Sequence, residues 1–126
     1  VKSAFLMTAV GSLSSTTLRM ANAASHCKTN PVISWTDERF EIVSMEATFS
    51  PGGKCHVHIS LSRHDGSVIG GHLIDGIVFT TCEIVLGSID QVIFDRVMDD
   101  ETGYTELVIR DTTSARHELE LNNNCS

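Results

Sequence analysis

Three histidines, His56, His58 and His72, point most directly to a chemical function in this sequence. His56 and His58 lie in the segment Cys55–Arg63, where apolar and polar residues alternate as in a β-strand with one buried face. The alternation places both imidazoles on the polar face, with their Cα atoms about 6.5–7 Å apart. At that spacing the two side chains can converge on one metal ion.

The position of His72 depends on the turn that joins this strand to the next. A three-residue loop, His64-Asp65-Gly66, is a common hairpin loop with glycine at the left-handed position, and it would place His58 directly opposite His72. The same register sets Gly70 and Gly71 beside the histidines, where they leave space or form a bulge. A two-residue loop would instead turn His72 to the opposite face. A three-histidine site is therefore predicted for one register and excluded by the other.

Three imidazoles predict a divalent transition metal, and zinc suits them best. Zinc binds histidine nitrogen at about 2.0–2.1 Å, and three protein ligands leave a fourth position for water or another ligand. Nickel, copper and ferrous iron also accept imidazole. The alternative is that the three rings lie on a polar face and bond to neighbouring hydroxyls. The remaining histidines, which are His26, His64 and His117, are expected to be exposed.

Glu83 is the one candidate catalytic group, a carboxylate within the apolar segment Ile77–Leu86. A charge inside an apolar strand needs a partner, and this one could support a metal-bound histidine or act as a general base on bound water. The plainer interpretation is an exposed residue on the outer face of the strand. The chain has neither a serine nucleophile elbow nor a phosphate-binding glycine loop, so enzyme function stays open.

The elements that must position these groups are predicted to be short β-strands. Each is rich in Val, Ile, Phe or Thr and is bounded by turn residues, and no stretch of twelve or more residues carries a helical apolar stripe. The predicted strands are Ala4–Val10, Thr16–Ala21, Phe40–Phe49, Cys55–Arg63, Ser67–Asp75, Ile77–Leu86, Gln91–Arg96 and Thr105–Arg110.

Length and composition fit one globular domain. The 126 residues carry a net charge of −7, and this acidic balance opposes nonspecific binding to DNA or to anionic membranes. No apolar run approaches the roughly 20 residues that cross a bilayer. None of the four cysteines forms a CxxC pair, which argues against a zinc ribbon. The length is sufficient for a core and no signal peptide is convincing, so reduced thiols in the cytoplasm are expected. The four cysteines are Cys27, Cys55, Cys82 and Cys125.

The sequence resembles the plants-and-prokaryotes-conserved (PPC) domain family. The resemblance is carried by GKCHVHISL at residues 53–61 and DGSVIGGHL at 65–73. Further matches in the family's order are FLMTAVGSL at 5–13, TLR at 17–19, FEIVS at 40–44, TCEIVLG at 81–87 and TGYTEL at 102–107. Together they span most of the chain from Ala4 to Ile109.

The resemblance implies an α+β fold with a central antiparallel sheet, few helices and a homotrimeric assembly. It also implies that the positions matching His56, His58 and His72 can hold a metal. Family members normally begin with a strand and a helix before the segment matching Ala4, so residues 1–126 are expected to form a single domain shortened at its N-terminus. Plant members bind DNA chiefly through a separate Arg-Gly-Arg-Pro AT-hook, which this acidic chain lacks.

Three functions follow as hypotheses. The first is a small cytoplasmic, trimeric, metal-binding module with a binding or regulatory role and an unidentified ligand. The second is a zinc-dependent enzyme in which the three-histidine site activates water. The third is a DNA-binding regulator, as the family label suggests.

Overall fold

A computed structural model describes residues 2–21 and 30–112. The strands are β1 (Ala4–Arg19), β2 (Val32–Trp35), β3 (Phe40–Phe49), β4 (Cys55–Ser62), β5 (Val68–Ser88), β6 (Val92–Met98) and β7 (Thr105–Asp111), with a 3-10 turn at Pro51–Gly53. One sheet has the order β2-β1-β3-β4-β5, in which β1 also pairs with β5, and β6 pairs with β7 separately. This confirms the predicted antiparallel sheet with few helices. Within the two described ranges no helix is long and apolar enough to span a membrane.

The chain divides into two compact units. The histidine unit comprises Leu6–Ala47 and His56–Leu86, and the terminal unit comprises Val1–Phe5, Thr48–Cys55 and Gly87–Ser126. The single domain expected over residues 1–126 stays a prediction.

The core of the histidine unit is formed by buried apolar residues of β1, β3 and β4. Ile59 and Leu61 on β4 are 3% and 0% exposed, whereas their neighbours Ser60 and Ser62 are half-buried and His58 is exposed. Burial of each such aliphatic side chain contributes about 1.5–3 kcal/mol, which holds β4 with its polar face outward. The other buried members of this core are Leu13, Leu18, Phe40 and Ile42.

The prediction of two separate strands, Ala4–Val10 and Thr16–Ala21, is wrong. β1 is one continuous strand from Ala4 to Arg19, and the serine hydroxyls between those two predicted strands donate to backbone carbonyls of β5. The donor–acceptor pairs are Ser12 with Phe79, Ser14 with Ile77 and Thr16 with Asp75. Because the acceptor falls by two as the donor advances by two, these strands run antiparallel. β5 likewise continues through the predicted turn at Asp75-Gly76.

Gly11 permits the close approach of β1 and β5. Its φ is +155°, and a Cβ built there would lie 2.3 Å from the carbonyl oxygen of Thr81. No other residue type fits this position without moving a backbone.

The terminal unit is organised around the β6–β7 hairpin. Arg96 is 9% exposed, and its guanidinium donates to the Thr48 hydroxyl at 2.7 Å and to the Thr105 carbonyl at 3.4 Å. The Arg96 backbone amide donates to the Asp95 carboxylate, and together with Arg110 at 3.0 Å it holds the pKa of Asp95 below its usual value. These contacts connect the hairpin to β3 and across its own two strands.

Gly11→Ala should lower the free energy of unfolding by about 3 kcal/mol, because the methyl group overlaps the Thr81 carbonyl and the backbone is left-handed. Gly53→Ala is the matched control, since Gly53 has φ +76° but nothing within 4 Å of its added Cβ, and should cost about 1 kcal/mol. Urea unfolding followed by circular dichroism measures both. Equal losses would contradict the close approach.

Candidate metal centre

The β4–β5 hairpin has the register that brings His58 and His72 together. His58 pairs directly with His72, and the loop is closed by the Arg63 amide, which donates to the Ser67 carbonyl at 2.8 Å. The Gly66 amide donates to the Arg63 carbonyl at 3.0 Å, and Gly66 has φ +81°. The three-residue loop and its register are therefore confirmed.

Asp65 holds this loop in shape. Its carboxylate accepts hydrogen bonds from the Ser67 hydroxyl at 2.7 Å and from the Ser67 amide at 2.9 Å. These two hydrogen bonds keep the pKa of Asp65 below its ordinary value of 3.8, and the bond from the Ser67 hydroxyl has the larger effect. The carboxylate is ionised at neutral pH and continues to accept both hydrogen bonds.

The rings of His56, His58 and His72 form one compact cluster. Their centroids are 4.9, 5.0 and 5.6 Å apart, and one nitrogen of each lies within 4.8 Å of the others. The Nε2 atoms of His56 and His58 are 3.1 Å apart. Two nitrogens bound tetrahedrally to the same zinc ion lie about 3.3 Å apart. One pair of nitrogens thus already has the spacing of two zinc ligands.

The cluster is open on one side. His56 and His72 are half-buried and His58 is exposed. Three imidazoles held by two paired strands can supply three facial ligands, and the solvent side leaves room for a fourth.

Among the described residues, the other histidines and cysteines do not belong to the cluster. His64 is exposed at the hairpin loop, Cys55 is an exposed free thiol and Cys82 a half-buried one. His26, His117, Cys27 and Cys125 fall outside the described residues.

Glu83 is not brought to the histidines within one chain. It is exposed on β5, eleven residues after His72, which is on the order of 35 Å along a strand. The plainer interpretation, an exposed residue on the strand surface, is the one that the structure supports.

The carboxylate that does lie near the cluster is Glu46 on β3, which sequence reasoning missed. It lines a cleft of about 210 Å³ with Ser44, His58, Ile59, Ser60, Gly70 and Gly71. Its place depends on how β3 pairs with β4. The intervening segment forms a 3-10 turn whose register has no simple sequence rule, so the predicted strand Phe40–Phe49 did not show which of its side chains would lie beside His58.

The chain is thus a mainly antiparallel β-sheet protein with an open three-histidine cluster on one hairpin. The chain matches the family model of the Plants and Prokaryotes Conserved (PCC) domain over residues 1–90. It belongs to this family, as the sequence resemblance indicated.

Solved structures support the fold. A hypothetical protein from Salmonella enterica is 31% identical with a TM-score of 0.76, covering 89% of this chain and 76% of that one. A metal-containing protein from Archaeoglobus fulgidus is 26% identical with a TM-score of 0.67, covering 86% and 75%. A protein from Ralstonia eutropha, named as a candidate DNA-binding protein, is 23% identical with a TM-score of 0.74, covering 87% and 75%.

A curated relative is much longer than this chain. The bifunctional protein GlmU of a Synechococcus strain is 37% identical over 111 residues, which is 87% of this chain and 16% of the relative. The chain thus spans about one-sixth of the length of the relative.

Proposed function

We propose that the chain is a metal-binding module in which His56, His58 and His72 hold one divalent transition metal, with zinc preferred. The observation that carries this proposal is the convergence of three imidazole nitrogens within 4.8 Å on an open face. The name of the Archaeoglobus protein, which is metal-containing, supports it. Three neutral nitrogen ligands with an open fourth position suit zinc, although the ligand set alone also accepts copper or nickel.

The role of a binding or regulatory module is supported by the Synechococcus relative. There the matching segment is one-sixth of a larger bifunctional protein, as expected of a unit that adds a binding site to other machinery. A zinc-dependent enzyme is the second candidate, because the open side leaves a position for water and Glu46 supplies a carboxylate in the adjoining cleft.

His58→Ala and His72→Ala should each reduce bound metal from stoichiometric to background, because two imidazoles hold zinc much more weakly than three. Elemental analysis of protein purified without added metal and without a polyhistidine tag measures this. His64→Ala, at the exposed loop of the same hairpin, is the matched control and should retain the metal. Wild-type protein free of transition metal would refute the proposal.

We also propose a homotrimer, the usual assembly of the family. The histidine unit exposes large apolar side chains along β5 between residues 74 and 86, which monomeric proteins normally cover. They are Ile74, Ile77, Val78, Phe79, Ile84, Val85 and Leu86.

Val85→Glu should dissociate the trimer, because a carboxylate buried between subunits without a partner costs several kcal/mol. Sedimentation velocity should give about three times the 13.7 kDa chain mass for wild type and one chain mass for the variant. Val32→Glu on β2 is the control, since Val32 is 55% exposed and Val85 52%. A monomeric wild type, or a trimer that tolerates Val85→Glu, would argue against this interface.

DNA is the weaker candidate partner. The Ralstonia name favours it, but at 23% identity that likeness carries the fold alone, and the net charge of −7 repels a phosphate backbone. We expect no saturable binding to labelled duplex DNA by fluorescence anisotropy at low salt. Affinity that falls steeply as salt is added would overturn this expectation.

A further inference from the structure

The cleft beside the histidine cluster has the dimensions of a small-molecule site. Its volume of about 210 Å³ corresponds to about seven water molecules, below the 300–1,000 Å³ typical of drug-sized ligands. His58 lines the cleft and also belongs to the three-histidine cluster. A molecule in the cleft would therefore reach the open side of the metal position.

The cleft contains unused polar groups. Ser44, Glu46 and Ser60 make no side-chain hydrogen bond or ion pair to residues in the described part of the chain. Their two hydroxyls and one carboxylate are available to a bound molecule.

One wall of the cleft is bare backbone. It is formed by Gly70 and Gly71 of β5, and a Cβ at Gly70 would lie 2.8 Å from the carbonyl oxygen of Ile59. The strands are too close there to accept a side chain. This wall is consequently fixed by the β4–β5 pairing before any ligand arrives.

With a metal bound to the three histidines, the cleft would have charges of opposite sign at its two ends. Neither lysine nor arginine lines it, and Glu46 is its one acidic group. A divalent metal held by three neutral imidazoles keeps its positive charge, so the His58 side becomes positive while the Glu46 side is negative. A simple cation would be repelled by the metal, and a dianion would be repelled by Glu46.

We propose that the cleft binds a small zwitterion of the amino-acid type, with its carboxylate toward the metal position and its ammonium group toward Glu46. The carboxylate end rests on the proposed metal function, because no cationic side chain lines the cleft to receive it. The ammonium end rests on Glu46 alone. Ser44 and Ser60 supply hydroxyls to the remaining polar atoms.

The test uses two matched pairs of probes, β-alanine against propionate and 4-aminobutyrate against butyrate. The two members of each pair differ only by the ammonium group. The size of 4-aminobutyrate suits the cleft, because it has about seven non-hydrogen atoms and the cleft has the volume of about seven water molecules. Isothermal titration calorimetry measures binding to zinc-loaded protein, and elemental analysis of the same samples measures retained zinc. At least one amino acid should bind about tenfold or more tightly than its partner, the usual scale of a charge-assisted hydrogen bond.

Glu46→Gln should remove that preference while leaving the affinity for butyrate at least as high, since it keeps the shape and loses the charge. Glu41→Gln is the control, because Glu41 is also exposed on β3 but does not line the cleft. Metal-free protein should lose butyrate binding altogether. Stoichiometric zinc with equal affinities within both pairs, or an unchanged preference in Glu46→Gln, overturns the zwitterion proposal alone. Absence of zinc from wild type overturns the metal function as well.

Discussion

The register of the β4–β5 hairpin is the constraint on which the candidate site depends. Because successive side chains of a strand face opposite sides, a shift by one residue would remove His72 from the face that carries His56 and His58. The loop His64-Asp65-Gly66 prevents that shift by its length, the left-handed Gly66 and the two hydrogen bonds that Asp65 accepts from Ser67. The hairpin register also sets the bare glycine wall of the cleft. One short loop therefore determines both features.

Burial beneath the hairpin fixes the same arrangement from the opposite side. Ile59 and Leu61 lie in the core of the histidine unit, so the alternating His58 and Ser60 face the cleft. β5 is also held along much of its length by β1, whose side-chain hydroxyls donate to its carbonyls. Strands restrained in this way support the proposed metal site, since the three imidazoles would need little reorganisation to bind one ion. Preorganisation of that kind is what distinguishes a ligand set from scattered histidines.

The position of Glu46 changes the chemistry that the cluster suggests. A carboxylate in the cleft beside a bound metal would give two charges of opposite sign within a small volume, whereas Glu83 is too distant along β5 to contribute in the same chain. The exposed apolar side chains of β5 form a second surface, which the proposed trimer would cover. The proposed module thus combines a polar cleft on β3–β5 with an apolar surface for assembly.

Local rules placed His56 and His58 on one face and offered the pairing of His58 with His72 as one of two hairpin registers, and the structure has that register. The motifs around the hairpin identified the family. The same rules were wrong where glycine and serine interrupt β1, because hydrogen bonds to a strand over sixty residues away satisfy groups that resemble a turn. Glu46 could not be found for a similar reason. A short hairpin restricts its own register, whereas the pairing of β1 with β5 and of β3 with β4 is decided by packing of the whole sheet. The sequence by itself determined the family and the shared face of His56 and His58, and only the three-dimensional structure decided that His72 joins that face and that Glu46 lies in the adjoining cleft.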